Sequence, residues 1–251
     1  MWNNPRLANA TATSLYLFAF GLLGYAALRL VAESAAFPLR TIVVEGDLRH
    51  VARSDIVSAL QGRVTGGFFD VDLESIRALF EGVPWVRRAD VRRGWPDRLE
   101  VRIEEHVALA RWQGRQPRLV NTHGELFSGR VEGALPVFSG PPGSEAEIAR
   151  LYASIHELLA PLELESTRVS LSSRLAWQLR LSNGLTVQLG RDTDKDRVND
   201  RFAKFVAVYP QTVRKLPRAP DYVDLRYPNG FALRVPDAPK AGIGKAGRER
   251  V

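Results

Sequence analysis

Apolar and polar positions divide this chain into one unbroken apolar run followed by two differently patterned stretches. From Leu7 to Leu28 there is no charged residue, and the dense part, LYLFAFGLLGYAAL, spans Leu15 to Leu28. Twenty-two residues as a helix reach about 33 Å, against a hydrocarbon core of about 30 Å. Asn9, Thr11, Thr13 and Ser14 dilute its first half, and Arg29 is placed to snorkel. Beyond it, Thr41 to Val44 reads as a short strand. Ser54 reads as the cap of a helix from Asp55 to Leu60, stopped by Gly62. Asp70 or Asp72 caps a second helix, in which Leu73, Ile76, Leu79 and Phe80 recur at helical spacing. Trp85 to Arg93 is a strand with imperfect alternation, which predicts a bulge. After the turn Gly94-Trp95-Pro96-Asp97, Leu99, Val101 and Ile103 alternate with charged residues, as a half-buried strand does. The predicted order over residues 37–106 is β-α-α-β-β, with two helices on one face of a three-stranded sheet.

From 107 to 236 the pattern is richer in strands. Val107 to Trp112, Arg118 to Asn121 and Glu125 to Phe127 read as strands. Leu135 to Phe138 and the Gly140-Pro141-Pro142-Gly143 run read as a loop. Ile148, Leu151, Tyr152, Ile155, Leu158 and Leu159 form one stripe of a helix from Glu145 to Leu159 that Pro161 ends. Strands follow at 164–171 and 175–181, the latter joined to 185–189 by the tight turn Asn183-Gly184. A helix covers 194–209, and a final hairpin pairs 222–227 with 231–235 across Pro228-Asn229-Gly230. The fold class is α+β: an N-terminal transmembrane helix, a small β-α-α-β-β domain, then a β-rich domain with a mixed sheet and flanking helices.

Composition changes this picture little. The 251 residues carry 45% apolar and 25% charged positions, normal for a chain with a packed core. The absence of cysteine excludes disulfide scaffolds, thiol catalysis and cysteine zinc sites. The net charge of +7 splits into +3 on residues 238–251, +1 on the first 36 and therefore +3 on the body. That is a weaker basic bias than a nucleic-acid-binding body shows. Residues 237–251 read as a basic flexible tail.

The apolar run is read as an uncleaved anchor over 15–32, behind a short cytoplasmic head of residues 1–14. The rival is a cleaved signal peptide, but its charged start would hold only Arg6, and Ala32-Glu33-Ser34 is a poor cleavage site. A long domain after a single signal-anchor is normally the translocated part, which puts the N-terminus inside and the bulk outside the cytoplasm.

The candidate chemistry is sparse. His50, His106, His123 and His156 have no metal-ligand spacing. Acyl-transfer, Walker and Rossmann strings are missing. Asp192, Asp194 and Asp196 mimic a calcium loop, yet Arg197 and Ala203 stand where its glycine and glutamate belong, so helix capping is the preferred reading. Arg87, Arg88, Arg92 and Arg93 beside Trp85 and Trp95 are read as a solvated strand face with two packing aromatics. No cofactor, metal or catalytic constellation is expected. What remains is a binding surface: the final strand lies at or near a sheet edge, a template for an added strand. Arg226 and Tyr227 flank it, either as partner-binding groups or as ordinary strand residues; the residues alone leave that open.

The strings FPLRTIVVEGD and VPWVRRADVRRGWPDRLEVRIEEH resemble a POTRA domain, a protein-interaction module. Followed by LVNTHGELF, LPVFSGPPG, NGLTVQLGR and YVDLRYPNG in that order, nearly the whole chain resembles the FtsQ/DivIB family of bacterial division proteins. The resemblance implies a single-pass inner-membrane protein at the division septum, its bulk periplasmic. It would be a non-enzymatic scaffold that binds FtsB and FtsL and helps control septal wall synthesis. It carries partner binding to Tyr222, Arg226 and Tyr227, to Asn229, Gly230, Phe231 and Leu233, and to Arg174 ahead of the Trp-Gln-Leu strand. Val235 stands where the family has an aromatic contact, a role Phe231 is placed to take. The alternative is a POTRA-bearing, membrane-anchored accessory of secretion or outer-membrane assembly.

Overall fold

The computed structural model describes residues 5–32, 38–114, 116–193, 196–227 and 230–236, with the side chains of 9–26 and Arg29 in the first helix. Residues 1–4 of the predicted head, the basic tail, Asp194, Pro228 and Asn229 lie outside the described residues. The chain forms two compact units, 1–106 and 107–251.

The first unit opens with helix α1, Pro5–Ala32, which takes up residues 5–14 of the predicted head. Among the described residues no helix is long and apolar enough to cross a membrane. The polar residues Asn9, Thr11, Thr13 and Ser14 fall in the described part of α1, while the side chains of Leu28, Leu30 and Val31 lie outside it.

Strand β1 (Thr41–Glu45), helices α2 (Arg53–Leu60) and α3 (Leu73–Glu81), and strands β2 (Val86–Gly94) and β3 (Arg98–Glu105) follow in the predicted β-α-α-β-β order. The sheet order is β1-β3-β2, with β1 parallel and β2 antiparallel to β3. The expected bulge lies between Val86 and Arg88. Asp72, not Asp70, caps α3, accepting from the N–H groups of Glu74 and Ser75. Its carboxyl is held below the usual range, first by the Ser75 hydroxyl and then by these amides, with burial opposing. The predicted Ser54 cap is wrong. Helix α2 starts at Arg53, behind an extended Ala52 that makes no side-chain cap. The start is set from afar: Glu105 Oε1 accepts from the N–H groups of Arg49 (3.0 Å), His50 (3.1 Å) and Val51 (2.8 Å), which fixes the chain just before the helix. The His50 ring stacks on Trp85 with centroids 3.9 Å apart. Leu99, Val101 and Ile103 are buried with Phe80 and Ile76, the core that the alternation predicts.

Among the described residues, the strands of the second unit form one mixed sheet of nine. These are β4 (Ala108–Trp112), β5 (Arg118–Asn121), β6 (Leu126–Phe127), β7 (Val137–Ser139), β8 (Ser166–Leu171), β9 (Trp177–Leu181), β10 (Thr186–Gly190), β11 (Tyr222–Asp224) and β12 (Ala232–Arg234). Their order is β12-β11-β10-β9-β8-β7-β4-β5-β6. Strand β7 corrects the predicted loop. Pairing in parallel with both β4 and β8, it joins the two halves of the sheet, although its three residues are too few to show a period.

Helix α4 (Glu145–Leu159) has the predicted bounds, whereas α5 (Val198–Val208) starts four residues later than expected. Asp192 Oδ1 accepts from the N–H of Val198 at 2.7 Å, so this member of the acidic run caps the helix from in front. Helix α4 packs on β8 and α5 on β10, and the two helices touch each other. Phe202, Phe205, Ile148, Ile155 and Leu159 meet Leu179, Leu181, Val187 and Leu189 in the core. Asn183-Gly184 makes the tight turn before β10: Gly184 sits at φ 87° and Asn183 Oδ1 accepts from the Leu185 N–H at 3.1 Å.

Candidate partner-binding edge

Strand β12 is the outermost strand of the sheet. It pairs antiparallel with β11, Val223 opposite Leu233, and among the described residues its other side has no strand partner. A bare edge of this kind presents backbone donors and acceptors to an incoming strand. Three residues are few, so the edge alone offers only a short ladder. Side chains on either side of it must supply most of the specificity.

Arg226 follows β11, and its guanidinium closes on Asp224, with Nε 2.9 Å from Oδ1 and Nη2 2.6 Å from Oδ2. The Arg226 N–H also donates to Oδ1 at 3.0 Å. The Asp224 side chain is 8% exposed, the Arg226 side chain 59%. Arg226 thus covers a buried carboxylate and still shows its charge to solvent. The guanidinium holds the Asp224 carboxyl below the usual range against the opposing pull of burial, and Asp224 in turn raises Arg226 further above its ordinary value. Gly190, at φ 78°, makes room for this arrangement: a Cβ there would lie 2.8 Å from Cγ of Arg226. On the outer side, Arg234 grips Asp221 with two contacts of 2.9 Å and lies over the Tyr222 ring at 5.4 Å. Hydrogen bonding to Arg234 lowers the Asp221 carboxyl.

Arg174 is 52 positions before Arg226 yet lines the same cleft, of about 900 Å³. It sits in the turn from Ser172 to Ala176, closed by the Ser172 N–H donating to the Ala176 carbonyl at 2.9 Å and by Leu175 in the left-handed region at φ 58°. Three cations unmarked in the sequence reading join it: Arg191 after β10, and Arg201 and Lys204 one turn apart on α5. Among the described residues Arg174, Arg191 and Lys204 form no ion pair. Arg201 is held by Asp196 Oδ2 at 2.7 Å and by the Arg191 carbonyl, while its buried Nε has no hydrogen-bond partner among the described residues. The only sequence signal for Arg201 and Lys204 is their i, i+3 spacing, which puts both on one side of the predicted helix.

A second hollow of about 430 Å³ adjoins the first, sharing Asp196, Arg201 and Lys204, and is lined by Tyr227, Gly230 and Phe231. Phe231 meets the Phe205 ring edge-on at 5.5 Å, and Leu233 packs on the core. These two are therefore partly structural, whereas Tyr227 is 57% exposed. The structure thus gathers Arg174, Arg226, Tyr227, Gly230 and Phe231 around one basic and aromatic depression. Tyr222 and Leu233 lie on the strands beside it, and Asn229 lies outside the described residues. No group of three or more metal-ligating side chains occurs among the described residues.

The first unit offers a different surface. Ile42, Val44, Leu48, Ile56, Val57 and Leu60 line an apolar groove of about 860 Å³ beside the outer edge of β1. Trp85 is buried, and Arg87, Arg92 and Arg93 are engaged with Glu104, Glu100 and the carbonyls of Phe68, Phe69 and Val71. The packing reading of the arginine–tryptophan cluster therefore holds for Trp85, whereas Trp95, expected to pack, is 65% exposed.

Residues 37–106 match the family described as "POTRA domain, FtsQ-type", and residues 110–226 match "Cell division protein FtsQ/DivIB, C-terminal". A cell division protein FtsQ of Burkholderia pseudomallei is 40% identical over 238 residues, covering 94% of each chain. One of Bordetella pertussis is 36% identical over 260 residues, covering 95% of this chain and 94% of the relative. One of Nitrosospira multiformis is 36% identical over 239 residues, covering 93% and 99%. Both units match in this order, which favours a division role over the secretion accessory that a POTRA domain alone left open.

Proposed function

This chain belongs to the FtsQ/DivIB family of cell division proteins, and on that premise we propose that it is a non-enzymatic divisome scaffold that binds FtsB and FtsL at the β12 edge. Its α1 helix anchors it once in the inner membrane, N-terminus in the cytoplasm and both folded units in the periplasm, at the septum. The complex helps assemble and control the septal wall-synthesis machinery without doing chemistry itself. One observation supports the reading: Arg174, Arg191 and Lys204, which form no ion pair among the described residues, line one cleft with the Asp224-braced Arg226, and the adjoining hollow, lined by Tyr227, Gly230 and Phe231, leads to the start of the outermost strand β12. That arrangement fits a partner segment that adds as a strand and presents carboxylates to the cleft. The braced Arg226 is pre-organised for a carboxylate, and Tyr227 and Phe231 supply aromatic area for an apolar anchor.

The test is binding of the full chain to the periplasmic segments of FtsB and FtsL. Arg174→Glu and Tyr227→Ala should each weaken it by roughly tenfold or more while circular dichroism stays native. Arg226→Glu is the less clean variant, because it also strips Asp224 of its counter-ion. Undiminished binding by both Arg174→Glu and Tyr227→Ala would move the partner surface elsewhere.

A further inference from the structure

The β2–β3 turn of the first unit carries an aromatic tip that the partner surface does not use. Trp95 is 65% exposed and Phe69 43%. They sit together on the buried Phe68, with Phe68–Trp95 centroids 5.8 Å apart and Phe68–Phe69 5.1 Å apart. The platform is held from beneath: Arg93 donates to the carbonyls of Phe68 at 2.7 Å, Phe69 at 3.2 Å and Val71 at 2.8 Å. Two large rings are thus displayed on a fixed scaffold where a turn ordinarily carries polar residues.

Their position in the chain is informative. The Arg40 N–H donates to the Asp97 carbonyl at 2.9 Å, and Thr41 pairs beside Arg98. The tip is therefore at the end of the unit where the chain enters from α1. Eight residues separate Ala32 from Thr41, which at full extension span no more than about 28 Å. The opposite end of the sheet, at Glu45 and Arg102, lies four residues further along β1, about 13 Å away. Tryptophan, with an apolar body and a polar N–H, favours the membrane–water boundary. Arg92 and Arg98 share the single carboxylate of Glu100, at 3.0 and 3.3 Å, so one positive charge remains beside the tip, and the salt arm of the test separates it from the aromatic contact.

We infer that Trp95 and Phe69 seat the first unit on the lipid bilayer, dipping into the headgroup–acyl boundary and fixing the unit's tilt beside its own anchor. The inference rests on the anchor reading of α1. The contact is aromatic rather than ionic. It holds on neutral lipid and at high salt, unlike an arginine patch on anionic headgroups.

The chain has no cysteine, so single probes are unambiguous. The full chain is reconstituted into phosphatidylcholine vesicles, with an environment-sensitive dye at Phe69→Cys or, as control, at Glu104→Cys near the far end of β3. Doxyl-lipid quenching at position 69 should exceed that at 104 by at least about twofold, survive 0.5 M salt and fall to the control level in Trp95→Ser. Flotation with the vesicles scores the anchor separately. A chain that floats but quenches equally at both positions overturns the seating alone. A chain that does not float overturns the anchor and the seating with it. Quenching that needs anionic lipid and disappears in salt overturns the aromatic contact in favour of an ionic one.

Discussion

The two units are equally rich in arginine but wire it in opposite ways. In the POTRA unit, Arg87, Arg92, Arg93, Arg98 and Arg102 on β2 and β3 all have partners within the unit, and Arg88 alone on these strands has none among the described residues. In the second unit, Arg174, Arg191 and Lys204 converge on one cleft and form no ion pair among the described residues, while Asp196, which also lines it, is taken up by Arg201. The edges differ in the same sense. Strand β2 is a nine-residue edge, the longest available for pairing, but a bulge and a row of arginines blunt it. Strand β12 has three residues and paired flanking arginines, yet the hollow at its start, lined by Gly230 and Phe231, opens onto the cleft that holds those cations. On the proposed reading, the charge left uncompensated near an edge, rather than the length of the edge, decides where a partner adds.

The strongest way to break this comparison is to damage one core at a time. Phe80 and Phe202 are each 0% exposed. Phe80→Ala and Phe202→Ala should each cost their own unit about 3–5 kcal/mol, read from thermal unfolding. Partner binding should survive the first and be lost with the second. Loss with Phe80→Ala would show that the POTRA unit carries the binding surface.

A smaller effect sharpens the contrast in carboxylates. Burial pushes the Glu105 carboxyl up, but the N–H groups of Val51, His50 and Arg49 and the His50 ring outweigh it and hold it below the glutamate range. A lowered folded value stabilises above the unfolded pKa of about 4.3, and that stability is lost as pH falls through the folded value. Glu105→Gln should cost the POTRA unit about 1.5–3 kcal/mol at neutral pH. It should also flatten the acid limb of its unfolding curve, leaving the second unit's transition unmoved. An acid limb that keeps its slope in Glu105→Gln would show that another group controls it.

Much of this was legible in the sequence, and the failures have local causes. Helix α4 carries an unbroken apolar stripe up to Pro161, and β3 alternates over eight residues, so pattern alone bounds both. Strand β7 is three residues between Pro136 and Gly140, and only its neighbours β4 and β8 make it a strand. The start of α2 answers to Glu105, more than fifty positions away, rather than to Ser54 beside it. In the site, Arg226 and Tyr227 were marked by the final hairpin. Arg174 was marked only through the family, and Arg191, Arg201 and Lys204 not at all, because convergence of four elements on one cleft has no linear spacing.

The smallest effects test the wiring directly. Lys204→Glu places an acid in the cleft and should weaken FtsB–FtsL binding by roughly tenfold, with little change in stability. Arg92→Ala removes one exposed ion pair, worth at most about 0.5 kcal/mol, and should leave binding unchanged. Equal effects from the two would show that net charge, not the cleft, attracts the partner.

The most direct test of the β12 edge is amide hydrogen exchange across both units, with and without the FtsB–FtsL periplasmic segments. Added-strand binding at this edge predicts slowed exchange over residues 222–234 and no change over 41–45. Slowed exchange along β1 with an unchanged β12 would contradict it and place the partner in the groove of the POTRA unit.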